Sequence, residues 1–180
     1  MKKYFAAGLL LALVSCKNST QKNADAVQNA HAVQDTVAVS NKNVSQVALA
    51  DAKTQAIYND YISLKNSLVA TQYETAQKSA TKLKSSLANY PGCENTALIA
   101  DKISGAKDIA TQRKEFTLLS SDVIAMFKHA DVTSGAIYVQ HCPMANNGNG
   151  GDWLSSEKKI QNPYYGSDMM ECGAVLETIN

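Results

Sequence analysis

The chain has 180 residues, with 17 Lys and Arg against 16 Asp and Glu, and a formal net charge of +1 at pH 7. The basic residues are spread along the chain and form no stripe, which argues against a nucleic-acid partner. The sequence contains neither a His-Glu-x-x-His nor a Gly-x-Ser-x-Gly motif, so we do not expect an enzyme.

The N-terminus carries two lysines followed by an apolar run over residues 5–14. A basic start, a short apolar stretch and small residues are typical of a secretory signal, and the run is too short to cross a bilayer. Because Cys16 stands where cleavage would leave it first, residues 1–16 resemble a bacterial lipoprotein signal. The resemblance implies lipidation of Cys16 and attachment to the periplasmic side of a bacterial membrane, inner or outer. A plain secreted protein cleaved near Ser15 is the alternative.

Residues 17–50 have a different composition from the rest of the chain. They are rich in Asn, Gln, Ser, Ala and Val, lack aromatic residues and Pro, and contain Leu49 as their one leucine. Such a segment cannot bury enough apolar surface to offset an ordering cost of about 1–2 kcal/mol per residue. We therefore predict a disordered tether over 17–50 and a single domain over 51–180.

Apolar residues at helical spacing predict four helices in this domain. The first carries an apolar stripe from Ile57 to Leu68. The second helix follows a capping-box sequence that begins at Thr71, and Pro91 ends this helix. The third region, over 94–129, is too long for one ordinary helix, and Gly105 is expected to divide it. These features predict a mainly α fold, a four-helix up-and-down bundle.

Two short runs of β-forming residues follow the helices, Gly135–Gln140 and Gly173–Ile179. They are expected to pair as a small antiparallel ribbon after the bundle. Between them lies a long C-terminal loop that contains the only Trp, and a loop of this length is usually functional or held by a staple. Its Gly/Asn-rich stretch, Asn146–Asp152, lacks the lysine of a phosphate loop and the carboxylates of a calcium loop, so we interpret it as a flexible turn.

Sulfur-bearing residues flank this loop with mirrored spacing. A Cys-x-Met follows the first β run and a Met-x-Cys precedes the second. Side chains at i and i+2 of an extended chain project the same way, so both sulfur pairs meet at one end of the ribbon if the runs pair. Thiolates and thioethers together select soft, monovalent Cu(I), and Ag(I) fits the same chemistry. The candidate metal ligands are Cys142, Met144, Met170 and Cys172, with Met169 and His141 as further donors.

The two cysteines of this set have a second interpretation. In an exported protein they would commonly form a disulfide, Cys142–Cys172, and the methionines would then be core filler. Closing about thirty residues would stabilise the fold by about 3 kcal/mol. A disulfide and a metal site that uses both thiols exclude each other at any one time. Cys93 follows a Pro-Gly turn, where a half-buried thiol is expected.

Several other side chains are expected to hold the C-terminal loop against the helices. Arg113, on the predicted last helix, can reach carbonyls or carboxylates of the loop. Trp153, Tyr164 and Tyr165 are expected to anchor the loop, with a small-molecule groove as the alternative.

Three segments resemble domain-of-unknown-function family 3347. They are Tyr58–Lys65, Gln112–Ser120 and the region Gly135–Gly173, which includes Tyr-Val-Gln-His-Cys-Pro-Met and Asn-Pro-Tyr-Tyr-Gly. The resemblance covers about residues 50–179. It implies an exported protein of Gram-negative bacteria, of a kind found alone or fused to periplasmic adaptor subunits of heavy-metal efflux pumps, and a role near copper or related cations.

Cys-Pro-Met also opens a heavy-metal-binding segment of such adaptors. There it is followed by His-Pro and a later Cys-x-x-Cys, whereas here Ala145 and Asn146 follow and no Cys-x-x-Cys exists. Only Cys142 and Met144 carry over from that segment.

The sequence therefore favours a membrane-tethered periplasmic protein that binds Cu(I) or Ag(I) and assists metal efflux or homeostasis. The alternative is a disulfide-stapled helical interaction domain that docks on an efflux adaptor or another envelope protein. Free-thiol counting separates the two, because a stapled domain leaves one thiol outside the lipidated cysteine and an open site leaves three.

Overall fold

The computed structural model describes residues 47–180. This part of the chain is mainly helical and carries two small antiparallel sheets, which confirms the predicted fold class at that level. The predicted signal, the predicted lipidation site Cys16 and residues 17–46 of the predicted tether lie outside the described residues. Within 47–180, no helix is long and apolar enough to cross a membrane.

The elements of residues 47–180 are as follows. The helices are α1 (Ala52–Val69), α2 (Tyr73–Ala88), α3 (Glu94–Ser104), α4 (Ile109–Phe127) and the single turn α5 (Ala145–Gly148). The strands are β1 (Ala48–Leu49), β2 (Val132–Ser134), β3 (Ile137–Cys142), β4 (Gly151–Ser155) and β5 (Ala174–Ile179), and a 3-10 turn (Gly166–Met169) precedes β5.

The domain includes the last residues of the predicted tether. β1 pairs antiparallel with β2, and Val47, just before β1, is buried. The amide of Ala50 donates to the carbonyl of Asp131 over 3.0 Å. These residues are ordered because they complete a two-stranded sheet at the end of the helices.

Local capping explains where the helices begin and end. Asp51 accepts a hydrogen bond from the amide of Thr54 over 2.8 Å at the start of α1, and Asp108 accepts one from the amide of Thr111 over 2.6 Å at the start of α4. Such carboxylates satisfy backbone donors that the first turn leaves free. Gly105 ends α3, so the predicted division of the third helical region is confirmed.

The predicted capping box at the start of α2 is wrong. The residue that precedes α2 is Gln72, which makes no side-chain capping bond, and Thr71 has a left-handed φ of 55°. The Thr71 hydroxyl accepts instead from the Arg113 guanidinium over 2.9 Å. The Thr71 hydroxyl, which the local pattern predicted as a helix cap, therefore binds a residue of α4.

Consecutive helices pack on each other, and α4 also packs against β4. Tyr61 of α1 links the helices to the sheet, since its ring stacks on Phe116 of α4 at 5.5 Å between centroids. Its hydroxyl hydrogen-bonds Ser120 of α4 and accepts from the amide of Leu154 of β4. The sheet is therefore held directly against α1 and α4. The up-and-down order of a four-helix bundle stays a prediction.

The three-stranded sheet has the order β4-β3-β5, with β3 in the centre. β3 and β5 are antiparallel, with His141 opposite Ala174 at the end of β3, so the predicted ribbon is confirmed. On its other side β3 pairs with β4, which places Cys142 opposite Gly151.

The sequence did not predict β1, β2 or β4, and β4 escaped because its first residues fall in the Gly/Asn-rich stretch. Asn146, Asn147 and Gly148 have φ values of 52°, 59° and 87°, so this stretch does make a tight turn. Glycine and asparagine adopt such angles at low cost. The chain then returns beside β3, where Trp153 and Leu154 are fully buried.

Candidate metal centre

Two thiols meet at the end of the central strand. The Sγ atoms of Cys142 and Cys172 lie 2.9 Å apart, and both residues are free cysteines. Cys142 is the last residue of β3, and Cys172 lies between the 3-10 turn and β5. Because antiparallel pairing sets the end of β3 beside the start of β5, the predicted meeting of these two sulfurs is observed.

The two thiols differ in their access to solvent. Cys142 is fully buried in the core, whereas Cys172 is half-buried. The hydrogen bond with Cys142 raises the pKa of Cys172, and burial and the charge of Cys142 act in the same direction, while the Met144 amide opposes them. The Cys172 thiol therefore keeps its proton to higher pH than an ordinary thiol, and a bound cation would have to displace that proton.

Asn162 fixes the backbone that carries Cys172. This fully buried side chain donates to the Cys172 carbonyl over 3.0 Å, and its own amide donates to the Met170 carbonyl over 3.0 Å. Its Oδ1 accepts from the amide of Tyr164 over 2.8 Å. One asparagine thus joins both sides of the C-terminal loop beside the thiol.

Gly173 allows the chain to pass close to β3 immediately after Cys172. Its φ is 148°, and a Cβ at this position would lie 2.6 Å from the His141 carbonyl and 3.1 Å from the Trp153 ring. A side chain there would push the loop away from β3, and the Cys172 thiol with it.

The methionines flank the thiols through their backbones. The Met144 amide acts on Cys172, and the Met144 carbonyl accepts from the Tyr165 hydroxyl over 2.6 Å. The Met144 side chain is 53% exposed, and Met169 and Met170 are half-buried. Convergence of the thioethers on the thiols stays a prediction.

His141 has a partner of its own in the sheet. Its Nδ1 lies 2.6 Å from Oδ1 of Asp152, on the neighbouring strand β4. Adjacent residues of a strand point to opposite faces, so His141 projects away from the Cys142 side chain. The strand geometry is therefore against His141 as a ligand in the same set as the two thiols.

Residues 47–180 contain no group of three or more His, Cys, Asp and Glu side chains that could hold a metal ion. A cation at the thiol pair would thus have two thiolates and, beyond them, thioether or backbone donors. This donor set fits a soft monovalent ion, and it does not fit zinc, which takes four N, S or O ligands in structural sites.

Gln140 and Trp153 are hydrogen-bonded neighbours in the sheet that carries Cys142, and the sequence did not identify Gln140 or Asn162 as part of this region. Gln140 is fully buried in β3, accepts from the Trp153 indole over 2.8 Å and donates to the Glu157 carbonyl over 2.7 Å. A glutamine within a short β-forming run was the available signal. The role of Gln140 could not be predicted from this run, because its hydrogen-bond partners lie 13 and 17 residues away in the chain.

The predicted pinning of the C-terminal loop by Arg113 is confirmed. Its Nε donates to the Pro163 carbonyl over 2.9 Å, and its Nη2 donates to the Leu68 carbonyl over 3.0 Å. Tyr164 packs between Phe116 and Trp153, so aromatic anchoring of the loop is also observed.

A groove of about 700 Å³ lies between α4 and the turn after β3, and Arg113, Leu118 and Tyr165 are among its lining residues. Cys93, just before α3, is half-buried as predicted, and burial raises its pKa.

Comparison with known proteins gives one family. The model of a family described as "Protein of unknown function (DUF3347)" matches residues 57–135, which confirms the predicted resemblance over α1 to β2. The matched segment ends before Cys142, so the thiol pair lies outside it. No curated protein and no solved structure gives a match.

Proposed function

We propose that this chain, whose residues 57–135 match the DUF3347 family, is a membrane-tethered periplasmic protein that binds Cu(I) or Ag(I). In this role it would assist metal efflux or homeostasis. The observation that carries the proposal is the pair of thiols, Cys142 and Cys172, with 2.9 Å between their sulfurs at the end of a paired strand.

The spacing of the thiols suits a shared ion after a small opening. On the scale of the zinc–thiolate distance of about 2.3 Å, two thiolates that bind one ion lie at most about 4.6 Å apart. The sulfurs would therefore separate by less than about 2 Å. Cys142 is fixed within the sheet, so the movement would fall on Cys172, which lies in a loop. Met144 and Met170 would then complete the donor set as thioethers.

A competitive titration of the reduced chain with a Cu(I) chelator tests this proposal. We expect Cys142→Ser, Cys172→Ser and the double variant to lose roughly 100-fold or more in affinity, because even outer-shell changes cost 10–100-fold at metal sites. Cys93→Ser is the matched control, since Cys93 is a half-buried cysteine just before α3 that makes no hydrogen bond with the thiol pair, and it should bind as the wild type does. Unchanged affinity in the double variant would rule the proposal out.

The second candidate function is a disulfide-stapled interaction domain that docks on an envelope efflux adaptor. The same contact favours it, because the thiols need to close by less than 1 Å to reach a bond of about 2.05 Å. Free-thiol counting on protein quenched by alkylation inside the envelope separates the candidates. The staple leaves Cys93 as the free thiol, and the open site leaves three, namely Cys93, Cys142 and Cys172.

The membrane anchor and the helix order belong to the same proposal. We expect a lipid on Cys16, which the mass of the exported chain would reveal. An up-and-down bundle is supported by bonds between consecutive helices. Ser86 of α2 donates to Asp60 of α1, and Lys84 of α2 forms an ion pair with Asp101 of α3 over 2.8 Å.

A further inference from the structure

We infer that the two thiols react with disulfides in a fixed order, with Cys172 as the attacking thiol and Cys142 as the resolving thiol. The consequence is a metal site that closes on oxidation. The release of metal rests on the proposed function, whereas the order of attack rests on the thiol geometry alone.

The difference in access decides which thiol reacts first. Cys142 is fully buried at the end of the central strand of its sheet, and this burial shields its sulfur from an external disulfide. Cys172 is half-buried in the loop that precedes β5. Exchange requires approach along the disulfide axis, so access selects Cys172.

Proximity makes Cys142 the resolving thiol. Its Sγ lies 2.9 Å from that of Cys172, and Asn162 holds the Cys172 carbonyl while the Cys172 amide donates to Met169. A thiol held this close to a mixed disulfide reacts as an intramolecular nucleophile. The resolving step should therefore be much faster than attack by a second external thiol.

The exchange balances in two steps. Cys172 loses its proton to solvent, its thiolate attacks one sulfur of an accessible disulfide, and the other half of that disulfide leaves as a thiolate. Cys142 then loses its proton and attacks the Cys172 sulfur, which releases the second half as a thiolate. Two protein thiols are oxidised to one disulfide, and one external disulfide is reduced to two thiols.

The product cannot hold the ion as the reduced pair would. Both negative charges leave with the two thiolates of the external disulfide, so the new bond holds no thiolate ligand and a Cu(I) or Ag(I) ion leaves with its oxidation state unchanged. Loaded metal should conversely slow the exchange, because it occupies the sulfur that attacks first.

The test uses 5,5′-dithiobis(2-nitrobenzoate) on the full reduced chain in a Cys93→Ser background, with Cys16 lipidated or changed to Ser. The parent protein should release two equivalents of thionitrobenzoate and retain no label by mass. Cys142→Ser should release one equivalent at the parental initial rate and retain the label on Cys172. Cys172→Ser should react at least roughly tenfold more slowly than the parent, because the remaining thiol, Cys142, is buried and a buried structural thiol is inert.

Folding is checked through Trp153, whose ring lies against Gly173, by its emission in each variant. Cys172→Ala provides a second replacement should the serine disturb the loop. A Cys172 variant that keeps the native Trp153 emission and reacts at the parental rate would overturn the order of attack. Thionitrobenzoate label retained by the parent protein would also overturn it.

The outcomes separate this inference from the metal proposal. Reduced protein that binds Ag(I) yet exchanges in no fixed order contradicts the inference alone. Ordered exchange in a chain that binds neither Cu(I) nor Ag(I) contradicts the metal proposal alone. When both hold, preloading with one equivalent of Ag(I) should slow the first release, and the oxidised chain should no longer take up Ag(I).

Discussion

Lys65 of α1 is a charged side chain with only 2% of its surface exposed. Burial lowers its pKa to about 8, and the charge of Glu157 partly opposes this effect. A lysine in the unfolded chain titrates near 10.5, so between pH 8 and 10.5 the unfolded state binds more protons than the folded one. Stability from this group therefore rises with pH across that window.

The pH dependence of stability tests this account of Lys65. Between pH 8 and 9.5, the free energy of unfolding of the wild type should rise relative to that of Lys65→Met by about 1–2 kcal/mol. Urea unfolding at several pH values measures the difference in unfolding free energy between the two proteins. The contributions of the other titrating groups cancel in this difference. Lys53→Met, at an exposed position of the same helix, should keep the wild-type slope. Equal slopes for Lys65→Met and wild type would contradict the prediction.

Burial has the opposite effect on the tyrosines. It raises the pKa of Tyr58, Tyr61 and Tyr164 above the ordinary value of 10. The folded state keeps these phenol protons while the unfolded state loses them, so stability from these groups falls above about pH 10. In the stability of the wild type alone, this fall therefore opposes the rise due to Lys65 above that pH.

At the scale of elements, the C-terminal loop is held in place mainly by side chains. In its part between β4 and β5, regular structure is limited to the 3-10 turn Gly166–Met169, and Arg113 and Asn162 supply the bonds that secondary structure would supply elsewhere. A loop held this way keeps its shape only while those buried donors stay paired.

Asn162→Ala should therefore destabilise the domain. The change leaves the Cys172 carbonyl and the Tyr164 amide without their side-chain partner, which should cost about 1–3 kcal/mol in urea unfolding. Asn149→Ala is the matched control, because Asn149 is exposed at the turn after α5 and its loss should cost about 0.5 kcal/mol or less. A similar, small effect of both changes would show that the loop does not depend on Asn162.

At the scale of the whole molecule, the thiols connect two parts of the chain that are 30 residues apart. Closing that loop limits the unfolded ensemble, whereas the folded chain already holds the sulfurs in contact. Oxidation should therefore act on stability mostly through the unfolded state.

Oxidised protein should be more stable than reduced protein by up to about 3 kcal/mol. Chemical unfolding with and without reductant measures the difference. Cys142→Ser should show no such dependence on reductant, and Cys93→Ser should show all of it. A destabilising effect of oxidation would mean that the strands must distort to form the bond.

The sequence by itself determined what depends on near neighbours in the chain. Apolar periodicity located the four long helices, Gly105 separated the last two, and the β-forming runs predicted the ribbon. The meeting of Cys142 with Cys172 was predicted only on the condition that these two runs pair, because antiparallel pairing sets the end of the first run beside the start of the second.

Only the tertiary structure decided what depends on distant partners. It showed that Cys142 is buried and Cys172 accessible, that His141 pairs with Asp152, and that Thr71 binds Arg113 and caps no helix. Burial and hydrogen-bond partners are properties of the packed molecule. They depend on residues far apart in the chain, so a local sequence pattern does not predict them.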